Sequence, residues 1–244
     1  MKKFSIFKMR LSGMFLLSSL LMVSYQQRGQ SIHIVAGTVM SQYDFISNDG
    51  VRSDYLKAGS GTYYRMGAEF KMLDTVRLLS STSPKAFYFS NHKLLSTVLS
   101  RVTLETSVES SQLNAVGDVI GVTFNYQTNY LGLNLGLGYE QPLYKGWSIK
   151  GIGKVNALKI IQGNQELQGT YKDLTKDPDF NKLQLALGWE VSLSKQVNSG
   201  LISFISFSKL NTMNDENSGA STLNFHNTLF SIGLKFNTVK SPTF

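Results

Sequence analysis

The chain of 244 residues contains no cysteine and only four prolines. Without cysteine it can form neither a disulfide framework nor a thiolate metal site. A hydrophobic content of 42% excludes an intrinsically disordered chain. The prolines are Pro84, Pro142, Pro178 and Pro242, all outside the alternating segments described below. Because proline removes a backbone donor, those segments are free to be strands with hydrogen-bonded neighbours on both sides.

Long apolar runs are also missing after residue 31, so no later segment reaches the roughly 20 residues of a membrane-spanning helix. A basic, an apolar and a polar stretch follow one another at residues 1–10, 11–23 and 24–30. This order predicts a secretory signal peptide over 1–30 and one exported domain over 31–244. A retained anchor helix is the alternative, which the short apolar stretch disfavours. The cleavage position stays open between Gly29 and Ser31.

The chain has an excess of positive charge, and most of that excess lies near its N-terminus. The chain has 24 Lys and Arg against 16 Asp and Glu, a formal net charge of +8. Five of these bases lie in the first thirty residues, which hold no acid, so the remaining 19 bases exceed the acids by three. An excess this small, spread over two hundred residues, is not typical of a nucleic-acid-binding surface.

What the chain does have is strict alternation of apolar and small or polar residues. In 131–140 the odd positions are leucine and tyrosine, whereas the even ones are glycine, asparagine and glutamate. Residues 64–72, 183–193 and 230–236 repeat the pattern. These segments are longer than the strands of about 5 to 6 residues common in soluble domains, and they match transmembrane strands of about 9 to 11. The pattern predicts a transmembrane β-barrel.

Eight strands account for most of the domain and form an antiparallel, up-and-down barrel. They are predicted at 32–45, 61–73, 94–107, 119–141, 147–161, 181–195, 200–212 and 224–237. Tight turns at 142–146 and 196–199 contrast with polar connections at 46–60, 108–118, 162–180 and 213–223, as in outer-membrane barrels with periplasmic termini. Residues 74–93 are too long for a turn, so ten strands remain an alternative. The apolar parity changes within 119–141, which predicts a bulge near Thr128 and Asn129.

These segments resemble the small outer-membrane β-barrel proteins common in Bacteroidetes, the porin-family or OmpA-barrel-like group. The resemblance rests on residues 129–139 (NYLGLNLGLGY), 146–153 (GWSIKGIG), 185–190 (LALGWE) and 231–236 (SIGLKF). It implies that the last strand carries the signal read by the barrel assembly machinery. Phe236, which ends that strand, is the expected aromatic of the signal, with Phe244 as the alternative.

The inward face of the predicted strands carries seven bases and four acids. They are Arg65, Glu69, Lys71, Arg101, Glu105, Glu140, Lys150, Lys154, Lys182, Glu190 and Lys235. An eight-stranded barrel is just wide enough to be filled by side chains, and buried charges are costly unless paired. We therefore expect an ion-pair network that plugs the lumen. The alternative is a lining selective for anions.

Aromatic residues predict the two membrane interfaces. Tyr139, Trp147 and Trp189 are expected near the tight-turn ends of their strands, and Tyr43, Tyr63 and Tyr64 near the opposite ends. Amphipathic rings settle at the depth of lipid headgroups, so two such belts are typical of a barrel embedded in lipid.

Catalytic and metal signals are weak. The three histidines, His33, His92 and His226, fall at different places along the predicted strands. His226 with Asp215, Glu216 or Ser218 is the only candidate site for an enzyme acting on lipid or peptide. Asp173, Asp177 and Asp179 share one outer loop, where solvation is favoured over cation binding. No cofactor motif occurs.

The sequence thus predicts an outer-membrane barrel with a structural, adhesive or envelope-complex accessory role. A small porin that prefers anions is the second candidate function, and a barrel enzyme is a remote alternative. The expected partners are outer-membrane lipid, lipopolysaccharide and the barrel assembly machinery, with another envelope protein as a further alternative and no nucleic acid. A secreted soluble barrel would instead need an apolar inside.

Overall fold

The structure is a computed structural model that describes residues 30–46, 52, 56–72, 97–119, 122–167, 169–213 and 222–238. Nearly all of the predicted signal peptide therefore lies outside the described residues, and its export function stays a prediction. The nine strands are β1 (Gln30–Ile46), β2 (Leu56–Lys71), β3 (Val102–Val119), β4 (Val122–Pro142), β5 (Trp147–Leu167), β6 (Thr170–Asp173), β7 (Gln184–Gln196), β8 (Leu201–Thr212) and β9 (Thr222–Asn237). Two single 3₁₀ turns lie at Tyr144–Gly146 and Leu174–Lys176. Within the described part of the chain, no helix is long and apolar enough to cross a membrane.

Eight of these strands close into a ring. Each of β1 to β5 pairs antiparallel with the next, β5 pairs with β7, β7 with β8, β8 with β9, and β9 returns to β1. The short β6 pairs with β5 and extends it beyond the ring. The predicted antiparallel, up-and-down β-barrel is confirmed, because closure leaves none of the eight strands with an unpaired edge.

The ten-strand alternative is wrong. Residues 74–93 all lie outside the described part. However, β2 and β3 pair directly with each other, beginning at Lys71 with Thr103. An additional pair of strands would have to separate these two, and their hydrogen-bonded ladder leaves no place for it.

Both ends of the barrel can be identified from its connections. The tight turns at 143–146 and 197–200, the first residue of β1 and the last of β9 all lie at one end, here called the turn end. The tight turn at 143–146 needs left-handed backbone at Lys145 and Gly146, with φ values of 53° and 74°. The end of β2 and the start of β3 also lie at the turn end, since Phe70 pairs with Gln30 and Lys71 with Thr103. The opposite end, here called the loop end, carries the connections from β1 to β2, from β3 to β4, from β5 to β7 and from β8 to β9.

One predicted loop and parts of two others belong to strands instead. The polar segment 108–118 lies within β3, which pairs with β4 up to Val119 and Val122. Similarly, β5 continues to Leu167 and β2 begins at Leu56. Polarity misled the prediction because every second side chain faces the lumen, where Glu109 and Ser111 are buried.

The predicted bulge is on a different strand. Side chains at even positions of β4 turn inward from Tyr126 through Gly138, so its alternation never breaks. The register shift lies on β5, where Ile161 is skipped as Asn129 pairs with Gln162 and Tyr130 with Ile160. The apolar residues of β4 change sides because the lumen itself changes character.

The lumen has two halves. Toward the loop end it is filled by a buried apolar cluster that includes Tyr43, Tyr130, Leu158, Leu210, Phe225 and Leu229. Leu174 and Phe180, from the connection between β6 and β7, join this cluster and cap it. The edge of the Tyr43 ring packs on Phe225, with centroids 4.8 Å apart. Toward the turn end the lumen is filled by charged side chains.

The outer face is apolar, and its aromatic residues only partly follow the predicted belts. Tyr139 and Trp147 are exposed beside a tight turn. Trp189 is exposed too, but at mid-strand, where it packs against Phe207. Of the aromatics predicted for the opposite belt, only Tyr64 faces outward. Tyr43 and Tyr63 are buried in the lumen, because their odd positions share the inward parity of β1 and β2.

We expect Phe225→Ala to lower the free energy of unfolding by about 3–5 kcal/mol, because it opens a cavity at the centre of the apolar half. Phe230→Ala is the matched control on the same strand, and its exposed ring should cost less. Denaturant titration of the folded protein measures both. Equal losses would contradict the position of the apolar half.

Candidate functional site

The charged half of the lumen is built by the inward positions of six strands. Here β2 supplies Arg65 and Glu69, β3 supplies Glu105 and Glu109, β5 supplies Lys150 and Lys154, and β1, β7 and β9 supply His33, Glu190 and Lys235. All nine side chains are buried, none more than 7% exposed. We call this set the lumen network.

Glycines on β4 make room for these long side chains. A Cβ atom at Gly138 would lie 2.7 Å from Cε of Lys150, and one at Gly132 would lie 2.8 Å from Cγ of Glu109. Contacts this short would force Lys150 or Glu109 to shift, so the bare wall formed by β4 lets these side chains keep their positions. The repeated glycines of the LGLNLGLG segment therefore have a steric cause.

Glu190 anchors one side of the lumen network. Arg65 donates to both of its carboxylate oxygens, with Nη1 to Oε2 at 2.9 Å and Nη2 to Oε1 at 3.1 Å. Lys154 donates to Oε2 as well. A bidentate guanidinium pair of this kind fixes geometry as well as charge.

Glu69 anchors the other side. Its Oε2 accepts from Nζ of Lys150 at 2.6 Å and lies 2.9 Å from Nζ of Lys235. One carboxylate thus holds two ammonium groups that come from strands on different sides of the barrel.

Glu105 joins the two sides at the centre. Its carboxylate lies 3.4 Å from Arg65, 3.5 Å from Lys150 and 4.0 Å from Lys154. Nε2 of His33 is 3.6 Å away. The attraction among three carboxylates and four bases offsets the desolvation that each would suffer alone.

The sequence analysis placed neither His33 nor Glu109 in the lumen, and Glu109 is the buried acid that it missed. Its carboxylate accepts from Asn134 at 2.6 Å, from Asn156 at 2.9 Å and from the Tyr63 hydroxyl at 3.1 Å. The alternation of buried Glu105, Ser107, Glu109 and Ser111 is the signal that could have found it. With Glu109 included, the buried charges number four acids and four bases.

Seven of the eleven predicted lumen residues enter the network, and four do not. Those inside are Arg65, Glu69, Glu105, Lys150, Lys154, Glu190 and Lys235. Lys71 is exposed at the last position of β2. Arg101 precedes β3 and donates to Gln141 at 2.7 Å and to the Tyr139 hydroxyl at 3.1 Å.

The other two excluded residues also lie beyond the lumen. Partly exposed Glu140 accepts from Ser148 at 2.7 Å near the turn end. Lys182 lies in an outer loop, 3.4 Å from Asp179. Three of the four excluded residues are bases, so the predicted excess of positive charge in the lumen disappears.

Little space remains within the lumen network, whereas a cavity of about 160 Å³ lies in the apolar half, lined by residues that include Tyr43, Leu174 and Phe180. The cavity within the lumen network has a volume of about 10 Å³ and is lined by residues that include His33, Glu105 and Ser192. This is room for about one water molecule. Because the apolar half lies directly beyond it, the described side chains close the lumen.

At the loop end, the outer aspartates are paired within their own loop. Lys176 lies 3.3 Å from Asp173, and Lys172 lies 2.7 Å from Asp177. Hydrogen bonds from the hydroxyl and backbone of Thr175 lower the pKa of Asp173. Burial acts to raise the pKa of Asp177, but hydrogen bonds from Lys172 and the Asp179 backbone outweigh it and lower the pKa. In the described ranges no cluster of three or more His, Cys, Asp or Glu residues could hold a metal ion.

The histidines do not meet. His33 lies in the lumen, whereas His226 lies near the loop end, where Nδ1 is 3.0 Å from Oδ1 of Asn211 and Nε2 is 3.9 Å from Asp44. His92 and the predicted neighbours of His226, namely Asp215, Glu216 and Ser218, lie outside the described residues.

Comparison with known proteins finds similarity only among solved structures; no protein-family model and no curated protein matches. Neisserial surface protein A is 10% identical with a TM-score of 0.45, covering 86% of this chain and 99% of that one. OprG of Pseudomonas aeruginosa is 10% identical with a TM-score of 0.43, covering 86% and 96%. A major outer membrane protein of Thermus thermophilus is 12% identical with a TM-score of 0.41, covering 86% and 99%.

Glu190→Ala should destabilise the barrel by about 3–5 kcal/mol, because it leaves Arg65 and Lys154 buried without their carboxylate. Glu140→Ala is the control, since it removes a partly exposed carboxylate and should cost no more than about 1 kcal/mol. The loss of folded protein on heating, followed by gel mobility, distinguishes them. Similar midpoints for the two variants would show that the network contributes no stability.

Proposed function

We propose that this chain is an outer-membrane β-barrel whose role resides on its surface, as a structural, adhesive or accessory component of the envelope. Solute passage is the alternative. The observation that carries the proposal is the closed lumen, in which four buried acids and four buried bases leave a cavity of only about 10 Å³ beside an apolar half.

The distribution of polarity supports a place in the membrane. Leu131, Leu133, Leu135 and Leu137 of β4 are exposed on the outer face, and the neighbouring strands continue this surface with Ile34, Met66, Val155, Leu185, Leu187 and Ile232. A barrel in water would expose polar residues here and bury the apolar ones. Charged inside and apolar outside is the arrangement of a barrel in lipid.

The formal charge of the buried lumen side chains weakens the alternative of an anion-selective porin. An anion-selective channel needs fixed positive charge along an open path. The described lumen is neutral by formal charge, with His33 taken as neutral. Three of the seven bases predicted inside, Lys71, Arg101 and Lys182, lie outside it. The serine and the two carboxylates predicted beside His226 lie outside the described residues, and an enzyme stays the remote alternative.

Leu135→Arg should cost about 2–4 kcal/mol of folding stability in lipid bilayers, because the side chain would place a charge in the hydrocarbon core. Tyr144→Arg is the control, since Tyr144 is 79% exposed in a tight turn and should tolerate the change. Refolding into liposomes under denaturant measures both. If Leu135→Arg folds as well as the parent, the outer face does not contact lipid.

Planar bilayers test the closed lumen. The mature protein should give little or no steady conductance, since hydrated ions cannot pass a filled interior. Heat-dependent gel mobility of the same sample confirms that folded barrels were inserted. A stable channel of porin-like conductance would reject the closed lumen and favour transport, and its reversal potential under a salt gradient would then report ion preference.

A further inference from the structure

The outer face carries a recess along β7, β8, β9 and β1. Two adjoining concavities, of about 940 and 620 Å³, share Ala36, Leu193, Ile205 and Ile232. We call the combined surface the outer groove. Small residues such as Ala36 form part of its floor, whereas Trp189, Phe207 and Phe230 line it toward mid-barrel and Trp147 and Phe236 toward the turn end.

The length of the outer groove matches one leaflet. From Phe236 to Phe230, β9 advances six residues, which is about 20 Å along the strand. With the usual strand tilt of about 35–45°, this is about 15 Å along the barrel axis. The hydrocarbon core of a bilayer is about 30 Å thick, so the groove spans half of it.

The groove ends in positive charge. Lys195 lines it at the turn end, with Nζ 5.3 Å from the centroid of the Trp147 ring, and donates to the backbone oxygen of Lys145. Lys71 and Arg101, which the sequence had placed in the lumen, reach the surface at the same end. Glu140 is the one acid among the described charged residues that reach this surface. An apolar groove with a cationic end is complementary to an anionic amphiphile.

We propose that the outer groove holds the acyl chains of one anionic phospholipid from the leaflet at the turn end, with its phosphate bound by the ammonium groups of Lys195 and Lys145. This inference rests on the membrane location proposed above. A second copy of the chain fits less well, because a two-fold side-by-side dimer would bring the same patch of both copies together and oppose their lysines.

Native mass spectrometry of the folded mature protein in uncharged detergent tests the proposal, with phosphatidylglycerol and phosphatidylcholine of equal chain length as probes. The parent should retain phosphatidylglycerol several-fold better. Lys145→Gln combined with Lys195→Gln should reduce that retention to the phosphatidylcholine level. Lys57→Gln combined with Lys209→Gln removes two exposed lysines nearer the loop end and should leave it unchanged.

A variant of the groove floor separates chain binding from headgroup attraction. Ala36→Phe fills the groove without changing charge and should reduce retention of both lipids. The proposal would be overturned if the parent retained the two lipids equally, or if a dimer appeared in place of the lipid adduct. It would also be overturned if retention did not change in the Lys145 and Lys195 variant or in Ala36→Phe. Insertion into protein-free liposomes is measured in parallel. Failure to insert would reject the membrane location itself, whereas normal insertion without lipid preference would reject only the groove.

Discussion

Eight closed strands enclose a lumen of limited width, and the side chains that face it must both fill it and neutralise one another. An unpaired charge there costs several kcal/mol, because it has lost its water without gaining a partner. Three buried carboxylates meet this requirement by pairing with four buried bases. The fourth carboxylate, that of Glu109, accepts hydrogen bonds from Tyr63, Asn134 and Asn156 instead. The position of Glu105 between Arg65, Lys150 and Lys154 shows how the requirement is met, since one carboxylate serves ammonium and guanidinium groups from opposite walls.

Space and charge are matched strand by strand. Bare glycine positions on β4 face the long side chains of Lys150 and Glu109, and the serines of β7 and β8 line the other wall. Beyond this polar half the same inward positions carry Tyr130, Leu158 and Phe225, so the lumen is sealed by packing where it is not sealed by ion pairs. Two different interactions therefore close one interior, and neither depends on the conformation of an outer loop alone.

Alternation in the sequence was enough to predict the fold, because apolar residues recur at every second position wherever the outward face of a strand lies in apolar surroundings. It was not enough to locate strand ends. The polar segment around Glu109 is predicted as a loop, but it continues a strand because its polar side chains face a polar part of the lumen. The inward apolar side chain of Tyr126 predicts a bulge, but the strand is regular there because this part of the lumen is apolar. Lys71 and Arg101 share the parity of the lumen residues, yet they lie at the rim, and parity contains no information about depth.

The ion pairs of the lumen join residues that are distant along the chain, and Arg65 and Glu190 are 125 positions apart. An open sheet cannot make this contact, because the strands that carry the two residues meet only across a closed lumen. The pairs must therefore form after most backbone ladders are in place. Interactions absent from the transition state act on the rate of unfolding rather than on the rate of folding. The charged interior therefore stabilises the barrel kinetically: it leaves the rate of folding nearly unchanged and slows unfolding of the assembled barrel.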